Sequence, residues 1–356
     1  MHTESVPIAV FMLVVRWSMR GQSKLISCHI GIDLLGSDLP PSALLETVLA
    51  YSKELKQSVH LTLFGTSALF KDAPPPGAQI LYHVTEDVIT MDDAPLSAIR
   101  RKQGSSLCTG IRMLQEGHLQ AFISAGNTGA LIACAKIKLK NLPHVERPAL
   151  MTLLPTRGGA IAVLDVGANT SYKASHLVQF AAMGIAYQKS RGILLPRVGL
   201  LNIGTEAKKG TPELQLAYNT LLHASKCHSS PFVFAGNIEG RDVFHSELDV
   251  LVTDGFTGNV FLKTAEGMAA VILEELQNTT LEGCSPHIKK VMGDMRHRLH
   301  YAEYPGAILC GVDGIILKCH GNSSPQSFTS SIETASRLVQ HAFLEHVKKE
   351  LISKKS

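Results

Sequence analysis

SAGNTGAL, residues 124–131, and TDGFTGNV, residues 253–260, share one pattern: two residues, glycine, one residue, Thr-Gly, one residue, then an apolar side chain. Each follows an apolar run and opens a helical stretch, so each reads as a polar, glycine-rich corner between a strand and a helix.

Outward from these corners, short apolar runs alternate with amphipathic stretches. Strands are expected at Cys28–Leu34, Val59–Phe64, Ala121–Ser124, Ala160–Val166, Val198–Ile203, Phe232–Ala235 and Val250–Thr253. Helices are expected at Ser42–Leu55, Gly129–Lys140, His176–Gln188, Glu213–His223 and Val260–Gln277. Strands apolar on both faces and separated by helices predict an α/β fold with a mostly parallel sheet covered on both sides. No linker divides the chain from residue 26 to residue 351, which reads as a single α/β domain.

The strand ends carry the functional signal. GIDLLGSD (31–38), SAGNTGA (124–130), LDVGANTS (164–171), LNIGTEAKKG (201–210), FAGNIEGRD (234–242) and TDGFTGN (253–259) each join glycine to Asn, Asp, Thr or Ser. Open parallel sheets bind ligands beyond the carboxyl ends of their strands, so these corners are expected to converge on one cleft. Glycine admits close backbone approach, and helix N-termini aim N–H groups at an anion. Strand-to-helix corners also need glycine and capping residues for purely structural reasons. Five asparagines at such positions, Asn127, Asn169, Asn202, Asn237 and Asn259, favour a polar anion site.

Composition narrows the function class. Over 356 residues the net charge is +4 with dispersed Lys and Arg, which gives no reason to invoke nucleic acid and leaves room for an acidic partner. Seven cysteines without a C-x-x-C pair fit reduced, mostly buried thiols in a cytoplasmic protein. The apolar run Val6–Val15 is far short of the ~20 residues a membrane span needs. Glu4 precedes it and Arg16 follows, the reverse of a signal peptide. Residues 1–25 read as an extension outside the fold; with translation beginning at Met19, residues 1–18 would be dispensable.

No phosphate loop of the G-x-x-x-x-G-K-[ST] type, dinucleotide G-x-G-x-x-G, G-x-S-x-G elbow or H-E-x-x-H motif occurs. Cys319-His320 is a poor nucleophile–base couple, because neighbours on a strand point to opposite faces. One reaction needs neither metal nor cofactor nor an activated side chain. Phosphate is itself a nucleophile, and a thioester releases a thiol whose pKa of roughly 8.5 makes it a good leaving group. The protein need only orient phosphate and stabilise an oxyanion, which N–H groups, Asn amides and Lys side chains can do.

At this point the motifs form a set. SAGNTGAL, ERPAL (146–150), LLPT (153–156), LDVGAN, PRVGLLNIG (196–204), KKG (208–210), GNIEGRD (236–242), TDGFTGNV, LKT (262–264) and HG (320–321) occur in order. From about Ile30 to Val347 the chain resembles the bacterial phosphate acyltransferase family, which makes acyl phosphate from acyl-[acyl-carrier-protein] and phosphate at the entry to phospholipid synthesis. The resemblance implies a three-layer α/β/α sandwich akin to isocitrate dehydrogenase and phosphotransacetylase, with two pseudo-symmetric halves in which SAGNTGAL and TDGFTGNV would be equivalent corners. It further implies a cytoplasmic homodimer, peripheral contact with the inner face of the plasma membrane, and delivery of product to a membrane glycerol-3-phosphate acyltransferase. The alternatives are a phosphotransacetylase-like enzyme using acyl-CoA and, on fold kinship, a metal- and NAD-dependent decarboxylating dehydrogenase. The dehydrogenase would need Arg and Asp clusters where these corners carry Asn and Thr.

The chain departs from the family's usual pattern at several points. Ser37 replaces a glycine in the first corner, which puts its turn in doubt. Thr170-Ser171-Tyr172-Lys173 follows LDVGAN in place of Val-Asp-x-Lys. Pro305 stands where Gly is usual, and Asn322-Ser323-Ser324 follows HG.

The resemblance points to Lys209, the second lysine of KKG, as the contact to phosphate or oxyanion; the plain alternative is a solvated pair with Lys208. Asn259 is the candidate oxyanion donor, with Gly258 N–H for phosphate; otherwise it is a helix cap. Gly126, Asn127, Thr128, Gly129, Asn169, Lys173, Asn237, Gly255, Thr257 and His320 complete the candidate set. Asp33, Asp165 and Asp254 end strands, where a carboxylate repels phosphate and is better suited to orienting N–H groups and lysines. Arg100-Arg101-Lys102, read as opening a helix, and Lys289-Lys290 with Arg296 and Arg298 are candidate docking patches for an acidic carrier. Val271–Leu299 reads as a helical hairpin with a polar tip, which is weak support for a membrane anchor. Ile332–Leu351 is amphipathic and suited to packing on the core or on a partner.

Overall fold

A computed structural model describes residues 27–228, 230–278, 285–300, 306–319 and 325–352. Among them lie the strands β1 (Cys28–Asp33), β2 (Val59–Gly65), β3 (Ile80–Val84), β4 (Ala121–Ser124), β5 (Ala149–Thr156), β6 (Gly159–Leu164), β7 (Arg197–Leu201), β8 (Val233–Ile238), β9 (Val250–Val252), β10 (Ala307–Cys310) and β11 (Ile315–Lys318). The helices are α1 (Pro41–Tyr51), α2 (Ser67–Phe70), α3 (Pro95–Arg101), α4 (Ser106–Gln115), α5 (Thr128–Lys138), α6 (Ala174–Ser190), α7 (Pro212–Ser225), α8 (Gly255–Asn278), α9 (Pro286–His300), α10 (Pro325–Gln340) and α11 (Phe343–Ile352).

All strands join one sheet in the order β3-β2-β1-β4-β11-β10-β5-β6-β9-β7-β8. Strand side chains alternate between faces. Ile30, Ile32, Ala121, Ile123, Ala162 and Leu164 enter one buried layer, shared with α6, α10 and α11. Phe64, Phe122, Ile316, Val163 and Leu251 enter the other, shared with α3, α4, α5 and Leu262 of α8. Helices therefore cover both faces, as the continuously apolar strands predict.

The pattern at the sheet centre was not apparent from the sequence. β4 and β11 are parallel, but β11–β10, β10–β5 and β5–β6 are each antiparallel, after which β6, β9, β7 and β8 are parallel again. Three reversals leave the β6–β8 group running opposite to the β1–β4 group. Counted from the sheet edges, β4 is fourth on its side and β9 is third on the other. SAGNTGAL and TDGFTGNV are thus not positional equivalents. By strand position β9 corresponds to β1, and β4 to β6; the shared eight-residue pattern reflects common corner chemistry.

The C-terminal amphipathic stretch is two helices, broken at Ala342, whose φ is 48°. Ile332, Ala335, Leu338, Phe343, Val347 and Leu351 are buried within the chain's own core, so that apolar side is not available to a partner. α8 and α9 form the expected helix pair, while the tip from 279 to 284 lies outside the described residues, as do residues 1–26, Pro305, His320 and 321–324.

Candidate active site

Strand direction divides the corners into two groups. Those after β1 and β4 leave the sheet in one direction and those after β6, β7, β8 and β9 in the other, and by register the ends of β1, β4, β6, β9 and β7 stand at nearly one level. By register Ser124 is level with Lys318 and Ala307, next to the Ile308–Met151–Leu164 row that ends β6. The two strand ends are thus offset by about one residue along the strands and by four strand spacings, on the order of 20 Å, across the sheet. The antiparallel centre turns the second half around, so the two groups of corners approach the middle of the sheet from opposite directions.

In the second group the β9 corner packs on the β6 corner through its glycines. A Cβ on Gly258 would lie 2.0 Å from the Asp165 carbonyl oxygen, and one on Gly255 would lie 2.2 Å from that of Asn169. Only glycine permits this approach, which brings the Asn259 side chain against Gly167. Asp165 organises the β6 corner: its carboxylate accepts from the N–H groups of Leu150, Gly167, Ala168 and Asn169, and from Asn169 Nδ2. Burial pushes the Asp165 carboxyl upward, and these donors pull it back. Asp254 likewise accepts from the N–H groups of Phe256 and Thr257.

The β7 corner is held from two strands. Asn202 Nδ2 donates to the Lys209 carbonyl at 3.1 Å, and Asn237 Nδ2 of β8 donates to the Glu206 carbonyl at 2.8 Å. The Lys209 side chain folds back over Gly204, where a Cβ would meet its Cγ at 3.2 Å and its Cε at 3.4 Å. Tyr172 joins this loop to the β6 corner through Thr211, oxygen to oxygen at 3.0 Å. The substituted stretch Thr170–Lys173 thus still bridges two corners.

In the first group Asp33, Ser124 and Lys318 are in register on β1, β4 and β11, all alternating toward the face covered by α4, α5 and α8. Ser124 Oγ donates to Asp33 Oδ2 at 2.8 Å and accepts from Gly126 N–H at 3.1 Å. Leu35 N–H donates to Asp33 Oδ1. Gly36, not Ser37, carries the positive φ of this turn, at 73°, so the serine is tolerated and donates to the Leu39 carbonyl.

The candidate residues therefore sort into scaffold and available groups. Asn127 caps α5 and donates to the carbonyls of Thr90, Met91 and Asp93. Asn169 Nδ2 donates to Pro148 and Asp165, and Gly258 N–H donates to the Asp254 carbonyl. Asn127, Asn169 and Asn237 are buried tethers, and the phosphate contact expected of Gly258 N–H is already occupied. Lys209, Thr257 and Asn259 are exposed, and neither the Lys209 ammonium nor the Asn259 amide has a side-chain partner among the described residues. Lys173 is exposed at the start of α6, Thr128 is half-buried, and Gly129 is exposed. Arg100-Arg101-Lys102 ends α3 instead of opening a helix, and Lys102 pairs with Asp93 at 2.6 Å.

The sequence reading missed Lys318. Its Nζ donates to the carbonyls of Ala125 and Cys319, and the residue is only 8% exposed. The available signal was a lysine closing the otherwise apolar run Ile315–Leu317. α8 links the two groups: it begins at the β9 corner, and the charge on its Lys263 is felt at Lys318. No metal-ligating cluster occurs among the described residues, and none of their helices is long and apolar enough to cross a membrane.

An open α/β sheet with polar corners at its strand ends defines the fold. A phosphotransacetylase from Streptococcus pyogenes shares it, with a TM-score of 0.58 over 89% of this chain and 94% of that one at 13% identity. The fatty acid synthesis protein family matches residues 28–346. The phosphate acyltransferase of Thermoanaerobacter pseudethanolicus is 36% identical over 91% of this chain and 98% of its own length. That of Desulfitobacterium hafniense is 38% identical over 91% and 97%. The chain belongs to this family, and it is an enzyme of the acyltransferase class.

Proposed function

We propose that the protein transfers an acyl group from the thioester of acyl carrier protein to inorganic phosphate, giving acyl phosphate and the free carrier thiol. A phosphate oxygen attacks the thioester carbonyl carbon, the carbonyl oxygen takes up negative charge, and the C–S bond then breaks with its electron pair leaving on sulfur. Phosphate is the nucleophile, so no side chain is acylated. Asn259 donates its amide to the developing oxyanion. Lys209 supplies positive charge to phosphate and to that oxyanion.

The observation that carries this reading is that two exposed groups without a side-chain partner among the described residues, the Lys209 ammonium and the Asn259 amide, stand on the corners of the hydrogen-bonded neighbours β7 and β9. Thr257, exposed in the same turn as Asn259, is a further donor. The remaining corner asparagines set this geometry without touching substrate. The acidic carrier would dock on Arg100-Arg101 or on Lys289-Lys290, all exposed. A homodimer, a cytoplasmic site with peripheral membrane contact, and hand-over to a membrane glycerol-3-phosphate acyltransferase rest on the family resemblance alone. Incubation of the purified protein with labelled phosphate and either acyl-acyl carrier protein or acyl-CoA tests the proposal. Labelled acyl phosphate from the carrier substrate supports it; turnover of acyl-CoA alone assigns the phosphotransacetylase-like reaction.

A further inference from the structure

Lys318 has no role in the chemistry above, yet its placement is costly. A lysine more than nine-tenths buried normally pairs with a carboxylate. Here its acceptors are two backbone carbonyls, those of Ala125 and Cys319, and among the described residues no carboxylate lies within ion-pair distance. Asp33, in the same cross-strand row, already accepts from Leu35 N–H and Ser124 Oγ. Ala125 is the second residue of the SAGNTGAL corner, so the ammonium sits at the mouth of the β4 strand, at the crevice where β1 and β4 diverge toward opposite connections.

A second cation, on α8, is close enough for its charge to act on Lys318. Lys263 follows Asn259 by four residues on α8, which puts both on one helix face about 6 Å apart. Lys263 acts on Lys318 as a like charge, even though Glu266 pairs with it at 2.9 Å. Two ammonium groups near each other at a strand mouth, beside an oxyanion donor, suit a doubly charged anion between them.

We infer that Lys318 is a phosphate-binding residue, the cation that the first half of the sheet contributes to a site whose other wall is the Asn259–Lys263 face of α8. This rests on the acyl-transfer reading and deepens it. It explains how two groups of corners that leave the sheet in opposite directions serve one reaction: α8 carries its polar face from one group to the other. Lys209 then remains the cation nearer the carbonyl oxygen.

The test is Lys318→Met, which keeps length and removes charge and is expected to fold, because apolar replacement of a buried ion is usually tolerated. The phosphate KM should rise about tenfold or more with the acyl-substrate KM within about threefold, and the increase in Tm that inorganic phosphate gives the parent should be lost. An unchanged phosphate KM and an unchanged Tm increase would overturn the inference while leaving acyl transfer intact. If the parent makes no acyl phosphate but phosphate raises its Tm in a Lys318-dependent way, the reaction assignment fails and the anion site stands. Should Lys318→Met not fold, Lys263→Ala decides, being an exposed position. A several-fold rise in phosphate KM supports the site, and no change contradicts it.

Discussion

Asn237 donates its amide to the Glu206 carbonyl at 2.8 Å, so a buried residue of β8 holds the loop that carries Lys209. With Asn202 on the Lys209 carbonyl, the backbone that carries the ammonium is held by two side-chain amides. Asn237→Ala removes one tether and leaves a small cavity, at a cost of about 1–3 kcal/mol. The variant should stay folded with reduced urea resistance, and its turnover should fall because the loop no longer holds Lys209. Parent-like turnover with reduced stability would show that the tether serves folding alone.

Gly258 and Gly267 both lie in α8, yet alanine should act oppositely at the two positions. At Gly258 a Cβ would strike the backbone of Asp165 at 2.0 Å, whereas at Gly267 nothing lies within 4 Å. Gly258→Ala must move the helix start away from the β6 corner and displace Asn259, so both stability and activity should drop sharply. Gly267→Ala should stabilise by about 0.5–1 kcal/mol, because alanine is the better helix former. Thermal melts of the two variants check this pair.

The pH dependence of stability reports on Lys318. Burial, and after it the like charge of Lys263, lowers its ammonium to about 8, with Cys319, Asp38 and Asp33 opposing. A lysine whose folded pKa lies below its unfolded one binds fewer protons when folded. The cost of burying its charge is fully present below pH 8 and is relieved as pH rises toward the unfolded value of about 10.4. Lys318→Met should therefore be more stable than the parent at pH 7, and that advantage should shrink between pH 8 and 10. Urea midpoints for both proteins at these pH values measure it; an advantage that grows with pH would reverse the sign.

Much of the fold was legible because several parallel strands are buried apolar runs ending in a corner: Cys28–Asp33, Val59–Gly65, Ala121–Ser124 and Val250–Val252 fall where the sequence places them. β3, β5, β10 and β11 are not among the strands the sequence suggests. Pro155 and the Arg157–Gly159 stretch make the β5–β6 hairpin read as a loop, while β10 and β11 are only four residues each. The reversal they cause is a matter of pairing partners, which no local pattern encodes. Site residues were legible only by type. An asparagine at a corner serves equally as cap, tether or ligand, and only the count of its hydrogen bonds separates Asn127, Asn169 and Asn237 from Asn259. Lys318 escaped notice because burial of a strand-end lysine depends on what α4, α5 and α8 place above it.

Gly204 offers a test of Lys209 that leaves its charge untouched. A Cβ there would lie 2.8 Å from the Glu206 carboxylate and 3.2 Å from Lys209 Cγ. Both are flexible side chains, so Gly204→Ala should fold normally while turning the lysine aside. Turnover should fall by about tenfold, with little change in Tm. Full activity would indicate that Lys209 has no fixed position in the reaction.

The central claim, that Lys209 and Asn259 stabilise the reacting centre from neighbouring corners, is tested most directly by steady-state formation of acyl phosphate with phosphate varied, in folded Lys209→Ala and Asn259→Ala. Loss of an oxyanion donor typically costs about 10²–10³ in turnover, so Asn259→Ala should lower kcat by that order with little effect on the phosphate KM. Lys209→Ala should lower kcat and raise the phosphate KM together. Turnover within about threefold of the parent in both variants would contradict the account and place the chemistry elsewhere on the sheet.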